Sequence, residues 1–196
     1  MIYAHPKMME AIKAGEGDNW IKMMNAATQG ASRGTKAVAP DMGLDHDEAL
    51  KLHGTSFRIY HNGRAHTDND LMIEVVEEGV IFLGDNVLNK RIAANFPEHG
   101  NIQGQIAAID LALKSKARYF IPGHGTSGGR EIAHTEKSFL KTLRAAVKKY
   151  YDHGLSDFEM KEKVMNDLTA YKNYYGFDGL GRVINVAYLQ IEAESF

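Results

Sequence analysis

The spacing of apolar positions changes along the chain, and each change predicts a change of element. Met8, Met9 and Ile12 stand at helical spacing and predict a helix over 6–14, ended by Gly15 and Gly17. A second helix is expected over 20–27, followed by a loose Gln29-Gly30-Ala31-Ser32-Arg33-Gly34-Thr35 stretch. From Phe57 the period shortens to two: Phe57-Arg58-Ile59-Tyr60 reads as a strand closed by the Asn62-Gly63 turn. Strands over 71–76 and 80–83 are separated by Glu77-Glu78-Gly79, which suits a tight hairpin. Ile102, Ile106, Ile109 and Leu113 then mark one face of a helix, and Tyr119-Phe120-Ile121 a buried strand stopped by Pro122-Gly123. The remainder is helical. One apolar face runs from Ile132 through Phe139, Leu143 and Val147 to Tyr150, and ends near His153-Gly154. Ser156 followed by Glu159 is a capping box opening the next helix, and a last helix covers 181–193. Strands, helix, strand, helices is the order of a layered α/β protein, and the chain is expected to form one domain.

Composition narrows the function classes. A chain of 196 residues with 44% hydrophobic content can bury a substantial core. The net charge of −2 comes from lysines and arginines scattered among acids, so neither nucleic acid nor an anionic membrane is an expected partner. There is no cysteine, which excludes disulfides and thiolate metal sites. The start, Met1-Ile2-Tyr3-Ala4-His5-Pro6, has no basic or apolar leader region. It fits a cytoplasmic N-terminus or an internal position of a longer chain.

His66, Asp85 and His124 are the candidates for chemistry. Each stands near the end of a strand-like segment in a glycine-containing turn: Gly63-Arg64-Ala65-His66-Thr67, Leu83-Gly84-Asp85, and Ile121-Pro122-Gly123-His124-Gly125. Strand ends gather side chains at one rim of a sheet, and small neighbours allow close approach. Imidazole and carboxylate are the donors that suit zinc or another borderline divalent ion when no thiol is present. The alternative is plain: a His in such a turn also serves as a surface or capping residue, and an Asp after a strand as a turn former.

The three segments together resemble the later motifs of the metallo-β-lactamase superfamily, in order and in interval, over most of residues 55–130. Gly63 to Asp70 is similar to a G-x-x-H-T-x-x-D stretch whose His binds the first metal. Leu83-Gly84-Asp85 is similar to the strand-end G-D whose Asp bridges two metals, and Ile121 to Gly125 to the P-G-H-G motif whose His binds the second. The resemblance implies a partial αββα sandwich with a helical C-terminal extension over 131–196 and a zinc-dependent hydrolase of small-molecule substrates. His66, Asp85 and His124 would be metal ligands, and Asp85 would also orient the attacking water. It also implies a structural role for Asp70 within the loop; Tyr60, Asn86, Phe96 and His99 are candidates to flank the site, with core or surface packing the favoured role of each.

One departure has consequences. The nine histidines include no H-x-H-x-D-H, the motif that supplies the superfamily's other ligands. Leu44-Asp45-His46-Asp47 is the nearest fragment and reads as a helix-start cluster. The Met1–Pro6 start resembles the strand that follows the absent motif, so an N-terminally truncated domain is expected, with weak metal binding and little turnover. Uncovered strands would leave a sheet edge and an apolar face open and favour a homo-oligomer. The rival of another class is a non-catalytic binding or scaffold protein on the same fold.

Overall fold

A computed structural model describes residues 1–93 and 100–195. Phe96 and His99 therefore lie outside the described residues. The chain opens with β1 (Tyr3–Ala4), α1 (Pro6–Lys13) and α2 (Glu16–Ala27), and returns through an irregular segment to β2 (Met42–Gly43). β1 and β2 pair in parallel, Tyr3 with Met42 and Ala4 with Gly43. Pro6 sits at the start of α1, where its missing N–H costs nothing, and the His5 ring caps the helix by accepting from the Lys7 amide. Neither α1 nor α2 contains a buried residue.

The main sheet follows as β3 (Ala49–Leu52), β4 (Thr55–Tyr60), β5 (Met72–Val75), β6 (Val80–Leu88) and, after α3 (Ile102–Ala112), β7 (Tyr119–His124). Its strand order is β3-β4-β5-β6-β7; the first three pairs are antiparallel and β6–β7 is parallel. A long helix α4 (Arg130–Asp152), α5 (Asp157–Asp167) and α6 (Leu180–Glu194) complete the chain. Ser156 and Glu159 form the reciprocal cap expected of them.

Alternation divides the sheet into two unlike faces. Met72, Ile81, Leu83 and Phe120 point inward and join Ile109, Phe139, Leu143 and Ile184 in one continuous core. The helices cover this face. On the other, strand register lines up Phe57, Val75, Val80 and Tyr119 in one row and Ile59, Ile73, Phe82 and Ile121 in the next. Phe82 and Tyr119 are about half exposed there. A sheet with apolar residues on both faces is built to be covered on both.

Several elements differ from the sequence reading. Gly17 lies inside α2 rather than ending α1; a Cβ on it would stand 2.8 Å from the Cβ of Ala37, so the returning segment requires a bare backbone. Pro122 does not stop β7, because β7 is an edge strand where a missing N–H is tolerated. β6 continues past Leu83 to Leu88. β3 was not expected. Asp45, His46 and Asp47 do not start a helix: they form the turn from β2 to β3, tied down by the Asp47 amide on the Ile59 carbonyl at 3.1 Å.

Candidate metal centre

Local backbone geometry at the C-terminal ends of β6 and β7 sets up the site. The β6–β7 register slips between Phe82 and Gly84 and again between Gly84 and Leu88, so Asp85 stands on an irregular stretch that turns its carboxylate toward the rim. Gly84 takes φ +54°, which its lack of a side chain permits. His124 is the last residue of β7, and the adjoining Asn89 amide donates to its carbonyl at 3.0 Å. His66 comes from the loop between β4 and β5. In that loop the Asp70 carboxylate accepts from the Thr67 amide at 2.5 Å, and Asn86 Oδ1 accepts from the His66 amide at 3.2 Å.

These elements bring the three candidate side chains together. Asp85 Oδ2 is 3.7 Å from His66 Nε2, and Asp85 Oδ1 is 3.7 Å from His124 Nε2. One carboxylate thus faces two imidazoles, each with a different oxygen. His66 is largely buried, while Asp85 and His124 are open to solvent at 39% and 48%. The donor chemistry, two imidazole nitrogens and a carboxylate between them, fits one or two zinc ions. Space fits as well: Gly123 lacks the Cβ that would fill the position 2.0 Å from Asp85 Oδ1. His66 Nδ1 is buried without a hydrogen-bond partner among the described residues, so this ring lacks the outer support that holds a typical ligand.

Two supporting residues escaped the sequence reading. Gln105 projects from α3 and its amide donates to the carbonyls of Asp85 and Asn86 at 3.3 and 3.2 Å, holding the irregular part of β6. Gly104 beside it allows the helix to press on the His66 loop, since a Cβ there would stand 1.8 Å from the Arg64 carbonyl oxygen. Helical periodicity predicts α3 but not which loop it meets. Tyr60 does not face the site; its hydroxyl donates to buried Glu74 at 2.5 Å. Asn86 is buried and acts through the His66 backbone.

Beside the His66 loop lies a cavity of about 690 Å³ between α1, α2 and Thr67–Asn69. Met8, Trp20 and Met23 give it an apolar wall, and Lys7 and Asp68 face it as an ion pair at 3.3 Å.

No protein-family model matches the sequence, and no curated protein is similar to it. Solved structures do superpose. A metallo-beta-lactamase family protein from Thermus thermophilus matches with TM-score 0.63 at 17% identity, over 99% of this chain and 66% of that one. A stereoselective inverting sec-alkylsulfatase from Pseudomonas sp. matches with TM-score 0.57 at 14% identity, over 79% of this chain and 27% of that one. A double mutant of such a sulfatase superposes at TM-score 0.66 and 16% identity. The chain spans about half (54%) of the metallo-beta-lactamase from Pontibacter korlensis. The fold is therefore part of the metallo-beta-lactamase fold.

Proposed function

We propose that this chain, built on part of the metallo-beta-lactamase fold, carries half of a hydrolytic zinc centre, and that the whole protein is a metal-dependent hydrolase. The observation that carries the reading is the Asp85 carboxylate, 3.7 Å from His66 Nε2 through one oxygen and 3.7 Å from His124 Nε2 through the other. His66 and Asp85 would hold one ion, Asp85 and His124 a second. Zinc bound there supplies Lewis acidity and lowers the pKa of water to about 7. Asp85, partly open to solvent between the two histidines, would orient the attacking water. The neighbouring cavity, apolar on the Trp20 side, accommodates the non-reacting part of a small ester, amide, thioester or phosphoester.

With so few donors for each ion, zinc is held weakly and turnover by these 196 residues is slight. Calorimetric titration with zinc, paired with hydrolysis assays on a panel of chromogenic esters and phosphoesters, tests this. Expected is weak zinc binding that Asp85→Ala diminishes, with little hydrolysis. Tight binding with fast, chelator-sensitive hydrolysis would overturn the half-centre. Zinc uptake that Asp85→Ala leaves unchanged would favour a binding or scaffold role, for which the open apolar rows around Phe82 and Tyr119 are the supporting feature.

A further inference from the structure

A second set of donors converges on the front of the molecule, made by three segments far apart in sequence. The parallel β1–β2 pair, with the Leu44 amide on the Ala4 carbonyl at 2.9 Å, sets His5 beside the turn that carries Asp45. The end of β4 delivers His61, whose amide donates to His46 Nδ1 at 3.3 Å across the same turn. The His5 and His61 rings stand 4.1 Å apart, tilted by 31°. His5 Nε2 is 3.6 Å from Asp45 Oδ1, and one donor atom from each of the three residues lies within 4.8 Å of the others.

We propose that His5, Asp45 and His61 form a binding site for a borderline divalent metal ion, zinc foremost, separate from the His66–Asp85–His124 centre. Two imidazoles and a carboxylate without thiolate are zinc-type donors, leaving a fourth position for water. Donors around a tetrahedral zinc with bonds of about 2.1 Å are about 3.4 Å apart, so the His5–Asp45 pair is already near its liganded spacing. An independent feature points the same way. His61 Nδ1 is 3.0 Å from the Asp70 carbonyl, which fixes the proton on Nδ1 and leaves the Nε2 lone pair free. That is the outer support metal-binding histidines ordinarily have.

His5 is arranged differently. Its Nδ1 accepts from the Lys7 amide at 3.3 Å, so without metal the proton is on Nε2, toward Asp45. An ion at Nε2 moves that proton to Nδ1 and replaces a long helix cap. The rest of the front segment is thinly attached, since α1 and α2 bury no residue. A bound ion would fasten β1 and the β2–β3 turn to the end of β4. Its role is structural.

The Asp85→Ala, His124→Ala double variant removes the proposed hydrolytic centre and leaves this cluster intact, so the two readings fail separately. Titrated with zinc alone, this variant is expected to bind one equivalent, and adding His61→Gln or Asp45→Asn should weaken binding about tenfold or more. Absence of binding by the folded double variant, or binding that His61→Gln leaves undiminished, overturns the proposal. Imidazole nitrogen NMR on the unmodified chain gives a second measurement that needs no variant to fold. Zinc should shift the His5 and His61 Nε2 resonances and move the His5 proton to Nδ1; if only His66 and His124 respond, the site does not exist.

Discussion

Gly123 lies so close to Asp85 that a Cβ on it would stand 2.0 Å from Asp85 Oδ1 and 2.8 Å from the Gly84 carbonyl. The carboxylate between His66 and His124 keeps its place because the neighbouring strand is bare at that point. Gly123→Ala is expected to displace Asp85, weaken zinc binding at the His66–Asp85–His124 centre, and destabilise the fold by about 1–3 kcal/mol. Zinc titration beside a denaturant melt checks both, and unchanged affinity in the variant would show that Asp85 does not depend on this space.

Gly104 has the same relation to the His66 loop from the helix side, with 1.8 Å between its missing Cβ and the Arg64 oxygen. Gly104→Ala should push α3 off the loop at a cost of about 1–3 kcal/mol, partly offset by the better helix propensity of alanine. Urea unfolding gives the stability, and amide exchange at Ala65 and His66 reports whether the loop has loosened.

Glu136 is a carboxyl group in the core of α4, 3% exposed, with no hydrogen-bond partner for Oε2 among the described residues. Burial holds its pKa well above the ordinary 4.5. Between that value and the folded one, the native state holds one more proton than the unfolded chain, so stability falls as pH rises. Glu136→Gln should therefore raise the melting temperature at pH 7, by about 2–4 °C for each kcal/mol recovered, and the gain should vanish below the unfolded value. Melting curves taken below the unfolded value and at neutral pH decide it; equal gains under both conditions would refute the assignment.

The second face of the main sheet carries the apolar rows through Phe82 and Tyr119, both about half exposed. We propose that two chains associate through it. Sedimentation should show a mass that rises with concentration, and Phe82→Lys with Tyr119→Lys should return the monomer. A concentration-independent monomer for the unmodified chain would end the idea.

Much of this fold was legible in the sequence wherever a pattern repeats within one element. The apolar stripe of α4 and the Ser156–Glu159 cap are local, and so are the strand alternation at Phe57–Tyr60 and the turn at Gly79; local chemistry suffices for each. The glycine-containing turns marked His66, Asp85 and His124, but only His124 ends a strand: Asp85 lies within β6 and His66 in the β4–β5 loop. Exceptions arose where a distant segment intervened. Pro122 continues β7 because that strand lies at the edge, and Gly17 stays helical because Ala37 packs over it.

What the sequence determined by itself is thus the order of elements from β4 onward and the residue types carried in the turns among them. Tertiary structure decided which ends meet. The bulged register of β6 against β7 divides the two oxygens of Asp85 between two histidines. The β1–β2 pairing brings Asp45, from a fragment that reads as a helix start, beside His5 and His61. No periodicity encodes such meetings, because they depend on pairing between strands some 40 residues apart, a contact set by the whole chain's packing and not by neighbours.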